Sequence, residues 1–167
     1  MRLRTVAAVL TAFAAAGCYE SPVPLAPPSE AVVDTRLLGR WEAVASEDRQ
    51  GGDLLVLRFN ERELYARFQE EEGDETEHYR AYVVALDGAR FLNAQDIEAG
   101  DVDHRPFFLF RYDIGPDSVL TLRMVSGRSF DKPIENAARL RRFIRANLEN
   151  ERLYESPDRF RRPAGDP

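Results

Sequence analysis

The residues able to do chemistry are few and stand far apart. His78 and His104 are the only histidines, each near carboxylates, and they would form a metal site only if the fold brought them together. Ser129 and Lys132 have the one-turn spacing in which a lysine can activate a serine, provided Ser129 opens a buried helix. Asp131 as a helix cap accounts for the same residues more simply. The acidic stretch 96–103 (DIEAGDVD) lacks the alternation that sets ligands around one calcium ion, so it reads as a solvated loop. There is no H-x-x-x-H pair and no glycine loop to cradle phosphate. These residues predict no enzyme, no metal and no cofactor. One side chain stands apart: Cys18, the single cysteine of the chain.

The residues before Cys18 explain its position. Arg2 and Arg4 precede an uncharged apolar run from Val6 to Ala16. That run is shorter than the roughly 20 residues a membrane-spanning helix needs, so 1–17 reads as a secretory signal. It ends in Ala15-Ala16-Gly17-Cys18, which resembles the lipobox of bacterial lipoproteins. The resemblance implies that the Cys18 thiol takes a diacylglycerol and that the protein is held by acyl chains at the cell envelope, outside the cytoplasm. With Tyr19 rather than an aspartate after the cysteine, it further implies the outer membrane where a cell has two.

The tether and the domain follow. Residues 18–33 carry Pro22, Pro24, Pro27 and Pro28 without an apolar period. They are predicted to be an extended spacer reaching up to roughly 45 Å, with the globular domain at 34–162 and a disordered tail at 163–167.

Composition narrows the function classes. Of 167 residues 44% are hydrophobic, and 10 Phe, 6 Tyr and 1 Trp are more aromatics than a disordered chain carries. A single cysteine excludes a disulfide scaffold. A net charge of -6 excludes nucleic-acid binding driven by phosphate neutralisation. Charge is nevertheless uneven: 69–103 is strongly acidic, whereas Arg139, Arg141, Arg142 and Arg145 crowd one later segment. That basic segment either pairs within the molecule or faces anionic headgroups or an acidic partner.

The elements that must position these residues are mostly strands. Period-two alternation predicts strands at 39–45, 54–60, 63–70, 76–86, 89–97, 107–114, 118–125 and 159–162. Asp87-Gly88 and Gly115-Pro116-Asp117 supply turns. Apolar residues lie on both faces of 54–57, which predicts a central or helix-covered strand. Ile134, Ala137, Leu140, Ile144 and Leu148 fall at helical spacing, which predicts one helix from Asp131 to near Asn150. The predicted fold is mainly β: a single antiparallel barrel of about eight strands with one α-helix before the last strand.

Leu38-Gly39-Arg40-Trp41 resembles the G-x-W signature of lipocalin-like barrels, and the chain is similar overall to uncharacterised bacterial lipoproteins carrying such a domain. The resemblance implies that Trp41 packs across a closed end against an arginine from a late strand, with Arg123 and Arg161 as candidates. It also implies a ligand pocket, for which Trp41, Phe108, Phe110 and Tyr112 are the candidate lining. The functional expectation is a lipid-anchored, non-enzymatic binding module. Its partners are the membrane, through the N-terminal lipid, and a small apolar ligand. The alternative is a filled barrel that meets an envelope protein through its surface.

Overall fold

The computed structural model describes residues 18–44, 51–71, 76–101 and 104–164. The signal segment 1–17 and residues 165–167 of the tail lie outside the described residues, as do parts of three loops. Eight antiparallel strands close into an up-and-down barrel: β1 (Gly39–Ala43), β2 (Gly52–Arg58), β3 (Leu64–Glu70), β4 (Thr76–Leu86), β5 (Ala89–Asp96), β6 (Phe108–Ile114), β7 (Leu120–Met124) and β8 (Asp158–Arg161). One helix, α1 (Ala137–Ala146), precedes β8. Closure is made by β8 pairing with β1, Ala43 opposite Phe160.

Local chemistry sets the turns. Asp87 (φ 49°) and Gly88 (φ 86°) both take the positive φ that a tight hairpin between β4 and β5 requires. Between β2 and β3 the Asn60 side chain accepts hydrogen bonds from the backbone of Arg62 (2.8 Å) and Glu63 (2.9 Å), which fixes the reversal. Ser118 is turned to φ 59°, so β7 starts at Leu120 rather than at 118.

The helix is shorter than its apolar period suggests. Asn136, not Asp131, is its N-cap, with Oδ1 accepting from the Arg139 N–H at 3.0 Å. The stretch before it is held another way: the Ile134 N–H donates to the Tyr19 hydroxyl at 3.0 Å. At the other end Asn147 closes the last turn, its N–H reaching the carbonyls of Phe143 and Ile144. Ser129 lies in a separate 3-10 turn, and its hydroxyl donates to the Arg152 carbonyl rather than facing a lysine.

Two large cores share the burial, beside a small cluster of Ala26, Tyr82 and Val84. One lies inside the barrel, around Trp41, Leu37, Val83, Leu120 and Phe160. The other lies outside the wall, where Leu140 and Ile144 of α1 cover Leu86, Phe91 and Leu109, the outward residues of β4, β5 and β6. The helix therefore covers β4–β6 and not β2. Of the two expectations for 54–57, the central strand holds, since β2 is paired with both β1 and β3, whereas helix cover does not, since Leu57 on its outer face is 46% exposed.

The proline-rich stretch also differs from expectation. Instead of standing free, residues 18–33 run along the outside of the barrel. The Tyr19 ring stacks on Phe130 with centroids 3.7 Å apart. Ser21 and Phe107 exchange two backbone hydrogen bonds (2.9 and 2.7 Å), and the Leu25 N–H reaches Oδ1 of buried Asn93 at 2.7 Å. Tyr19, Leu25 and Ala26 are buried. A few apolar anchors thus outweigh the extended tendency of the prolines, and the 45 Å reach is not available to this segment. The folded unit includes residues from Cys18 onward.

Candidate ligand cavity

The barrel is sealed at the end where β1 begins. A 3-10 turn, Thr35–Leu37, enters there and lays Leu37 across the interior. Trp41 lies against it, 1% exposed, with Nε1 donating to the Leu37 carbonyl at 2.8 Å. The arginine over the indole is Arg162, one residue past β8, with its guanidinium carbon 3.8 Å from the ring centroid. Arg162 also donates to the carbonyls of Arg36 (2.7 Å) and Arg40 (3.3 Å), tying the turn to β1. Arg123, a candidate for this role, instead stacks on Tyr154 and pairs with Glu151 on the outside. Arg161 sits exposed in the neighbouring, outward register position of β8. Gly39 is required in this arrangement: its φ is 109°, and a Cβ there would meet Nη1 of Arg162 at 2.6 Å.

Asp34 fastens the same end. Its carboxylate caps the turn and receives Arg36 twice, from Nε at 2.9 Å and Nη2 at 2.7 Å. It also accepts the Tyr112 hydroxyl at 3.0 Å, and Arg90 lies 3.4 Å away. The hydrogen bonds from Arg36 are the main cause that holds the Asp34 carboxyl at about 2, against the opposing effect of burial. Burial, with Asp34 alongside, pushes the Tyr112 hydroxyl well above its ordinary range.

Beyond Leu37 the barrel is hollow. A cavity of about 710 Å³ occupies the half toward the starts of β2, β4, β6 and β8. Its walls are Ala43 of β1, Leu54 and Val56 of β2, Ala66 and Phe68 of β3, Tyr79 and Ala81 of β4, Leu92 and Ala94 of β5, Phe110 of β6, Leu122 and Met124 of β7, and Phe160 of β8. The space exists because three neighbouring strands turn alanines inward. Ala81 is paired directly with Ala94, and Ala66 lies opposite Tyr79 one strand over. Larger side chains at those positions would fill it. The volume is within the range of small-molecule pockets, roughly 300–1,000 Å³.

The four aromatic candidates separate. Phe110 lines the cavity. Trp41 and Tyr112 belong to the packed, sealed end, and Phe108 meets Tyr79 edge-on (6.4 Å, 90°) without lining the space itself. The inward alanines and Tyr79 were missed as site residues, although the inward alternation of β3 and β7 was readable.

The other chemical candidates are dispersed. His78, on the outer face of β4, has Nδ1 2.6 Å from the Tyr65 hydroxyl, while His104 pairs with Asp101 at 3.1 Å. Among the described residues no group of three metal-ligating side chains comes together. Within the charged segments, Arg141 of α1 pairs with Glu30 and Arg145 with Asp87. Two helix arginines therefore pair within the molecule, one of them with the acidic stretch.

Cys18 is exposed and lies at the open end, bridged to Ser126 just beyond β7. Its thiol is pushed up, first by partial burial and then by Glu155, Glu20 and Glu77. Compared with known protein families, with curated proteins and with solved structures, the chain matches none.

Proposed function

We propose that this protein is a lipid-anchored, non-enzymatic binding module of the bacterial envelope, whose lipocalin-like barrel takes a small apolar ligand. The observation that carries the reading is the apolar cavity of about 710 Å³, floored by Leu37 and walled by residues of all eight strands. An eight-stranded barrel either fills with its own side chains or keeps room for one small ligand, and here the alanines of β3–β5 leave the room. The Trp41–Arg162 stack behind Gly39 supports the lipocalin-like assignment. Cys18 lies at the mouth end, so acyl chains attached to it would hold the opening next to the bilayer surface.

Two measurements test the reading together. Native mass spectrometry of the protein extracted from a bacterial envelope should show a retained lipid-sized mass, and Ala94→Phe should abolish it. Labelling with a radioactive fatty acid should mark the native chain and not Cys18→Ala. An empty barrel in every preparation, with no probe entering it, would overturn the carrier reading.

A second reading is favoured by a different observation. Val32, Val33, Leu57 and Phe59 are large, apolar and 40–56% exposed. Such residues suit contact with an envelope protein. Crosslinking in intact cells that returns one reproducible partner, lost in Phe59→Ser, would move the assignment to the surface.

A further inference from the structure

The inward register of the barrel carries a charge pattern at the mouth. Along β3 the inward residues are Leu64, Ala66, Phe68 and then Glu70. Along β4 they are Glu77, Tyr79 and Ala81, and along β8 Asp158 and Phe160. Three strands therefore end their apolar inner rows with a carboxylate at the cavity rim. Among the described residues one basic side chain is on the lining, Arg159, in the outward register of β8 between Asp158 and Phe160. Glu70 and Glu77 lie on paired strands, with Phe68 directly opposite Glu77. The Tyr79 hydroxyl donates to Glu77 at 3.0 Å and fixes that carboxylate next to an aromatic ring.

We propose that the cavity selects amphiphiles with a cationic head, the apolar body entering the barrel and an ammonium group resting among Glu70, Glu77, Asp158 and the rings of Phe68 and Tyr79. This rests on the small-ligand reading above and names the ligand's charge. The physical argument is complementarity at two depths. The apolar walls offer no partner to a polar head, so the head stays at the rim. There three carboxylates attract a cation and repel an anion, and aromatic faces add attraction for an ammonium, quaternary ones included. Glu70 and Glu77 are solvent-exposed, so each contribution is modest and the selection comes from their sum.

The test uses the full chain, freed of lipid and detergent, and a neutral fluorescent probe, N-phenyl-naphthylamine, displaced by three amphiphiles kept below micelle formation. Dodecyltrimethylammonium should displace it at about tenfold lower concentration than dodecanoate, with dodecanol between them. The preference should shrink as salt is raised. In the Glu70→Gln, Glu77→Gln, Asp158→Asn variant the cation and the anion should become equal within about twofold, with dodecanol unchanged. If that variant fails to fold, Glu70→Gln and Asp158→Asn singly should each reduce the ratio. Dodecanoate binding as well as the cation would overturn the charge inference while dodecanol binding kept the carrier reading. A ratio unchanged by the substitutions would do the same. Failure of the probe and of all three amphiphiles to bind would remove both.

Discussion

Asp34→Asn separates charge from shape at the sealed end. The substitution keeps the volume and an oxygen able to accept the Tyr112 hydroxyl, and it removes the charge shared with Arg36 and Arg90. The carboxyl is depressed from 3.8 to about 2 in the folded protein. At about 1.4 kcal/mol per pH unit this sets an upper bound of about 2.5 kcal/mol. Arg36 and Arg90 are half exposed, and solvent screening brings the expected loss at pH 7 to about 1–2 kcal/mol. The sign follows from the depressed value. The stabilisation is complete above the unfolded carboxyl's titration and is lost as pH falls through the folded one. The difference between native and variant protein should therefore hold from pH 7 to about 5 and shrink toward zero near pH 2. Urea unfolding of both proteins at several pH values measures it, with Trp41, the only tryptophan, as the reporter. A loss under about 0.5 kcal/mol at pH 7, or one that stays constant to pH 2.5, would refute the argument that ionised Asp34 fastens the turn.

Other substitutions probe neighbouring claims. Gly39→Ala should cost about 1–2 kcal/mol, because φ 109° is strained for any side chain, and it should displace Arg162 from the indole; urea midpoints and Trp41 emission read both effects. Ala94→Phe should fill part of the cavity and abolish probe binding, while the stability measured by urea unfolding falls by no more than about 1–3 kcal/mol, the cost of forcing a larger side chain into an interior. Tyr19→Ala should remove the stack on Phe130 and the bond to Ile134 at a cost of about 2–4 kcal/mol. It should also expose residues 18–33 to proteolysis, which mass spectrometry of limited digests detects.

How much of this was legible depends on the range over which the signal acts. β4 was predicted with its observed bounds, Thr76–Leu86, because eleven residues of strand end at an Asp-Gly turn whose backbone demand is local. The G-x-W stretch placed Trp41 at the sealed end, but its cation could not be chosen. Arg162 reaches the ring from across the β1–β8 seam, and the chain holds many arginines that sequence leaves equivalent. The helix start was misplaced for a similar reason: Asp131 and Pro133 are good opening residues, yet Ile134 is held out of the helix by Tyr19, over a hundred residues earlier. The cavity was least readable. An inward alanine looks like any small strand residue until closure sets Ala81 beside Ala94 around one space.

A hollow barrel must find its burial elsewhere, and the two cores show where. A filled eight-stranded barrel draws stability from its interior, whereas here the open half contributes little packing. The outer core makes up the difference: Leu140 and Ile144 of α1, with Leu25 and Tyr19 of the N-terminal stretch, are buried against Leu86, Phe91 and Leu109 on the outside of the wall. At roughly 1.5–3 kcal/mol for each large apolar side chain removed from water, that group accounts for a large share of the folding energy. It also stiffens β4–β6, and two of these strands, β4 and β5, turn inward alanines that leave the space. The helix and the proline-rich stretch are thus the structural condition for an empty interior. Tyr19→Ala, which acts only outside the barrel, should consequently weaken probe binding inside it, whereas a cavity independent of the outer core would bind the probe unchanged.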